Sequence, residues 1–161
     1  MRGNTTSKLI VTGAQAKCGK SDNGSLVSRL VVMNPTICPF CTLAPERILV
    51  ANDHGVAFRD GFPVSPGHTL AIPLRHVGSF FELTLEERDA ILALLEQAKE
   101  GVDAEFHPDG YNIGINDGKA AGQTVPHLHI HLIPRYKGDQ TDPRGGVRWI
   151  FPDKADYWSK R

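Results

Sequence analysis

Apolar residues in this chain change their spacing from element to element. Ile48–Ala51 and residues 56–59 are short apolar, β-branched runs joined by Asn52, Asp53, His54 and Gly55, and they predict two strands with a tight turn between them. The Pro- and Gly-rich "GFPVSPG" at 61–67 breaks the pattern, and residues 68–74 resume it as a third strand. From Thr84 the period becomes helical. Thr84 with Glu87 forms a capping box, and Leu85, Ile91, Leu94, Leu95, Ala98 and Val102 trace one apolar face. Residues 111–116 predict a fourth strand, a Gly-rich loop follows, and "VPHLHIHLIP" at 125–134 predicts a fifth. Short connections favour an antiparallel sheet covered on one side by the helix, an α+β domain.

The flanks differ from this body. Residues 1–36 are rich in Gly, Ser, Thr, Asn and Lys and predict a poorly ordered or loosely docked extension, with the compact domain starting near Met33. Within it, "LIVTGAQAKCGKS" imitates a phosphate-cradling loop. That motif needs four residues between its first Gly and Gly-Lys-Ser, and five separate Gly13 from Gly19. Residues 137–161 form a tail rich in Gly, Pro and charge. Its Trp149, Phe151, Tyr157 and Trp158 are expected to dock on the body or on a second subunit.

Size and charge narrow the partners. The 161 residues suit one domain with a real core, and 18 basic residues balance 18 acidic ones. No overall field steers the chain to nucleic acid or anionic lipid, and no apolar run reaches the length of a membrane span. A cytoplasmic location is the natural expectation. There, Cys38 and Cys41 in Cys-Pro-Phe-Cys suggest metal binding or redox chemistry more than a disulfide.

Candidate chemistry centres on the fifth strand. His127, His129 and His131 alternate with apolar residues, so a strand aims all three imidazoles from one face. Such a row can relay protons, bind a metal or hold an anion. Cys38 and Cys41 can supply two thiolates of a tetrahedral zinc site, which needs two further ligands; the candidates are the seven histidines, among which His76, just beyond the third strand, and His127 could both reach the knuckle. A two-Cys, two-His set leaves no open position, so the metal would be structural. His129 and His131 then face the loop at 116–124. Gly118 and Gly122 permit an anion nest there, with Gln123 and Thr124 as further donors. A neutral imidazole whose Nδ1–H is held by a carbonyl or another imidazole keeps Nε2 free to attack phosphorus. A catalytic metal on the row would want an added carboxylate, and the nearest one downstream is Asp139.

"GQTVPHLHIHLIPR" resembles the signature of the histidine triad (HIT) superfamily, in which three histidines alternate with apolar residues. "DGFPVSPGHTLAIPLRHV" resembles the nucleotide-pocket segment that precedes it. The resemblance spans about residues 38–136. It implies a five-stranded sheet with one main helix, paired through the helix and fourth strand into a two-fold dimer with a continuous ten-stranded sheet. It also implies hydrolysis at the α-phosphate of a purine nucleotide derivative through a covalent nucleotidyl-histidine. Dinucleoside polyphosphates and nucleoside phosphoramidates are the implied substrates, with transfer to another acceptor, or nucleotide binding without turnover, as alternatives. By the same resemblance, His129 corresponds to the nucleophile, His131 to the phosphate contact and His68 to the outlying histidine that hydrogen-bonds within the triad. Asp60 corresponds to the ribose-binding acid, and Asn116, Gly122, Gln123 and Thr124 to the phosphate and leaving-group pocket. Cys38, Cys41, His76 and His127 match the ligands of its zinc-bearing members.

Overall fold

The computed structural model describes residues 38–159, so the extension at 1–36 and its Gly13–Ser21 decoy lie outside the described residues. The described residues form five strands and one long helix: β1 (Ile48–Ala51), β2 (Gly55–Arg59), β3 (Thr69–Pro73), α1 (Leu85–Phe106), β4 (Gly110–Gly114) and β5 (Ile130–Arg135). They build one antiparallel sheet in the order β1-β2-β3-β5-β4, the α+β architecture that the apolar pattern implies.

β2 and β3 lie in the interior and are buried on both faces, which is why they read as continuous apolar runs. Ala57, Ala71, Ile130 and Leu132 meet Ile91, Leu94, Leu95 and Ala98 of α1 on one side. On the other, Val56, Phe58, Leu70 and Ile72 are covered by Phe40, Leu43, Ile48 and Leu74. The segment around Cys38 and Cys41 therefore roofs the face that the helix leaves open, a second layer that the sequence pattern did not predict.

α1 starts where the capping box puts it. The Thr84 hydroxyl accepts from the Glu87 amide at 3.2 Å, and the Glu87 carboxylate accepts from the Thr84 amide at 2.8 Å. Gly55 lets the helix approach: a Cβ there would lie 2.6 Å from the Ile72 carbonyl oxygen and 2.3 Å from Ile91. Among the described residues, no helix is long and apolar enough to cross a membrane.

The tail contains a 3-10 turn at Gly146–Ile150 beside β4, then α2 (Pro152–Ala155). Much of its order is internal. Arg144 lies 4.7 Å from the Trp158 ring and Arg148 lies 5.0 Å from that of Tyr157, while the Trp149 indole N–H donates to the Arg144 carbonyl at 2.7 Å. Trp149 and Phe151 stay 45% and 66% exposed, so these two do not dock on the body as a clamp.

Candidate functional site: a histidine row beside a cysteine knuckle

The ladder of β5 begins only at Ile130, so His127, at the end of a bend, and His129 precede the strand proper. Alternation holds all the same. Leu128, Ile130 and Leu132 point into the core, anchored by the Leu128 amide donating to the Val77 carbonyl at 2.6 Å. The imidazoles form a row on the opposite face, with His129 and His131 ring centroids 5.0 Å apart.

Each ring in the row has a fixed partner. The Nδ1–H of His129 donates to the backbone carbonyl of His127 at 2.8 Å, which leaves the Nε2 lone pair uncommitted. His131 Nδ1 lies 3.0 Å from His68 Nε2. On its other side His68 Nδ1 meets the Val64 amide at 3.3 Å and Asp60 Oδ2 at 3.4 Å. It accepts from the first in one tautomer and donates to the second in the other, so the proton between His68 and His131 has two settings. Burial lowers the His68 pKa against the pull of Asp60. Burial, with His129 and His68 adding to it, pushes His131 down to about 4. His68 and His131 are thus neutral near neutral pH.

The knuckle closes on the other end of the row. Cys41 Sγ lies 3.1 Å from His76 Nδ1 and 3.5 Å from His127 Nδ1, and Cys38 Sγ lies 3.5 Å from His127 Nδ1. All four ligand atoms fall within 4.8 Å of one another. A tetrahedral zinc with bonds of about 2.0–2.3 Å wants ligand separations of about 3.3–3.8 Å, so the cage is close to the right size. The Nε2–H of His127 donates to the Pro73 carbonyl at 2.9 Å, which fixes the tautomer with Nδ1 turned to the thiols. Burial and then Cys38 push the Cys41 thiol up to about 11, and burial takes His127 down to about 4. Two cysteine sulfurs crowded against two imidazole nitrogens suit a cation.

Other members of the sequence-derived set are placed less directly. Asp60 accepts from the Phe62 amide at 2.9 Å through Oδ1 while Oδ2 faces His68. Asp139, the downstream acid, is held by Arg135 at 2.7 and 2.8 Å. The carboxylate grouped with His68 and His131 is instead the upstream Asp60, a pairing made by β2–β3 register that no local spacing reveals. Gln123 ties its own loop, accepting from the Gly118 amide at 2.9 Å and donating to the Gly78 carbonyl at 2.7 Å. The amides of Ala121, Gly122 and Gln123 are also taken up by carbonyls of Gly118 and Lys119, so they do not form the expected open nest. Asn116 is half-buried, whereas Gly122 and Thr124 are exposed. Sequence reasoning missed Phe40, whose ring lies 5.3 Å from that of His129. It also missed Asp117, which fastens the loop by accepting from the Ser79 hydroxyl at 2.9 Å and the Phe80 amide at 3.0 Å.

An α+β subunit with alternating histidines beside a Cys/His cluster defines a class, and residues 42–138 match the HIT domain family; the chain belongs to that family. It is 36% identical over 104 residues to an uncharacterized HIT-like protein of Mycoplasma genitalium, covering 62% of this chain and 74% of that one. It is 34% identical over 117 residues to the bis(5'-adenosyl)-triphosphatase of Saccharomyces cerevisiae, covering 72% of this chain and 54% of the yeast protein. The crystal structure of a Zn-bound histidine triad family protein from Mycobacterium smegmatis superposes with a TM-score of 0.59 at 34% identity, covering 65% of this chain and 79% of that one.

Proposed function

We propose that this protein hydrolyses a purine nucleotide derivative at its α-phosphate, with His129 as the nucleophile. The observation that carries this reading is the His129 hydrogen bond to the His127 carbonyl, which commits Nδ1 and leaves Nε2 as the attacking lone pair. In the first step Nε2 forms a bond to phosphorus, and the bond from phosphorus to the leaving oxygen breaks, that oxygen keeping the electron pair. In the second, a water oxygen bonds to phosphorus, loses a proton to solvent, and the N–P pair returns to Nε2. His131 serves as donor to the phosphoryl oxygens, with His68 setting its tautomer. Asp60 contacts the ribose, and Asn116, Gly122, Gln123 and Thr124 line the phosphate and leaving-group side; Gln123 would exchange its present partners for the ligand. The yeast relative supports dinucleoside triphosphates as the substrate class.

Cys38, Cys41, His76 and His127 would hold a structural zinc, which supplies cross-linking of the roof segment to β3 and to the run into β5. The Mycobacterium smegmatis relative supports that metal. The active form in this reading is a cytoplasmic homodimer built on residues 37–136, in which α1 and the edge strand β4 pair with a second copy and residues 137–161 extend the body as a tail. The exposed side chain of Ile113 on β4 is consistent with such a contact.

The test is mass spectrometry of the protein rapidly quenched without acid after mixing with a diadenosine triphosphate. One adenylate per chain is expected on the wild type and none on His129→Ala. Steady turnover with no adduct on the wild type rejects the proposal.

A further inference from the structure

The Cys38–Cys41 turn carries an aromatic ring that the chemistry above leaves unused. Phe40 lies edge-on to His129, with ring centroids 5.3 Å apart and planes at 70°. The same ring meets His127 at 5.8 Å and Phe58 at 5.7 Å, also edge-on. His129 therefore has two contacts: the backbone carbonyl of His127, two residues back in its own run, and the side chain held between the two cysteines of the knuckle. A single hydrogen bond fixes the distance of one ring atom but leaves the tilt of the imidazole open. A T-shaped aromatic contact restricts that freedom, since such pairs have preferred orientations.

We infer that Phe40 is a positioning residue: the closed Cys-Pro-Phe-Cys turn braces the His129 imidazole through the Phe40 ring and keeps Nε2 aimed at phosphorus. The inference rests on reading His129 as the nucleophile. It gives the metal centre a role in reactivity that needs no contact between metal and substrate. Phe40 also packs over Phe58 on the face of the sheet away from α1, so a base-binding wall is the competing role, and kinetics separate the two. A brace acts on the bond-making step and lowers kcat, whereas a wall acts on binding and raises KM.

The experiment uses the full chain with Phe40→Leu, Phe40→Met and Phe40→Tyr. It measures zinc per chain, kcat and KM on a diadenosine triphosphate, the adduct formation rate, and the ¹⁵N signals of the His129 ring. Metal-replete Phe40→Leu and Phe40→Met should keep KM within about twofold and lose about 10- to 100-fold in kcat and adduct rate, because a misplacement of about 1 Å has that effect. Their His129 Nδ1–H signal should broaden or shift, and Phe40→Tyr should recover most of the rate. A raised KM at unchanged kcat, wild-type kcat in either ringless variant, or loss of metal from both overturns the inference. Absence of an adduct on the wild type would reject the nucleophile instead. The bracing is then judged by the His129 signals alone, and unchanged signals in the variants overturn it.

Discussion

Glu87→Gln isolates one charge at the joint between β3, the His76 segment and α1. The Glu87 carboxylate accepts from Arg75 Nε at 2.8 Å and from the Arg75 terminal nitrogen at 2.7 Å, and it also caps α1 through the Thr84 amide. Arg75 further donates to the Glu82 carbonyl at 2.9 Å, so the pair braces the stretch that carries His76. The Arg75 hydrogen bonds hold the Glu87 carboxyl down at about 2, against an ordinary 4.5. At 1.36 kcal/mol per unit that difference is worth about 3 kcal/mol as an upper bound. The Glu87 side chain is 11% exposed but that of Arg75 is 43% exposed, so solvent screening reduces the figure to about 1–2 kcal/mol. Because the folded pKa is depressed, this stability is fully present above pH 4.5 and is lost as pH falls toward about 2. Thermal melts of wild type and Glu87→Gln from pH 7 to pH 2.5 should show a gap of about 3–10 °C at pH 7 that closes below pH 4.5. Taking the difference between the two proteins cancels acid effects on the Cys38, Cys41, His76 and His127 cluster. A gap that stays constant to pH 2.5, or no gap at pH 7, refutes the reasoning.

Cys38→Ser should lower zinc content and thermal stability together, since metal binding free energy is folding free energy; elemental analysis beside a melt checks it, and full zinc in the variant removes Cys38 from the ligand set. Gly67→Ala should cost about 1–3 kcal/mol, because φ is +80° there and an added Cβ would lie 2.9 Å from the Phe106 ring; an unchanged denaturation midpoint counts against the placement of that turn. Burial holds the His131 pKa at about 4, below its ordinary 6.5, so the unfolded chain takes up the proton first and wild-type stability should fall as pH drops from 6.5 toward 4. His131→Asn should flatten that slope in pH-dependent denaturant titrations, and identical slopes would place the responsible group elsewhere.

Much of the fold is local and therefore legible in the chain. The two-period pattern, the Thr84 capping box and the turn at 52–55 locate α1 and the strands to within a few residues, because each depends on neighbours in sequence. Strand ends are less readable. The histidine run alternates from His127, yet β5 starts at Ile130, because ladder pairing also requires a partner, and β3 and β4 supply one only for the later residues. The roof over Val56, Phe58, Leu70 and Ile72 is equally invisible, since nothing in "CPFCTL" has strand or helix periodicity.

The site divides along the same line. Spacing alone puts three imidazoles in a row, and the Cys-x-x-Cys knuckle advertises two thiols, but which histidines close the cage depends on where β3 ends. Pro73 closes that strand with its carbonyl on His127 Nε2, and the turn beyond brings His76 to Cys41. His127 turns its ring to the cysteine sulfurs and its carbonyl to His129, so the same residue ties the Cys/His cluster to the imidazole two positions on. Asp60 joins His68 and His131 only because the turn at 61–67 folds the start of β3 back beside the end of β2. Long-range register decides these meetings, and an acid 71 residues from His131 in the chain gives no spacing signal of its own.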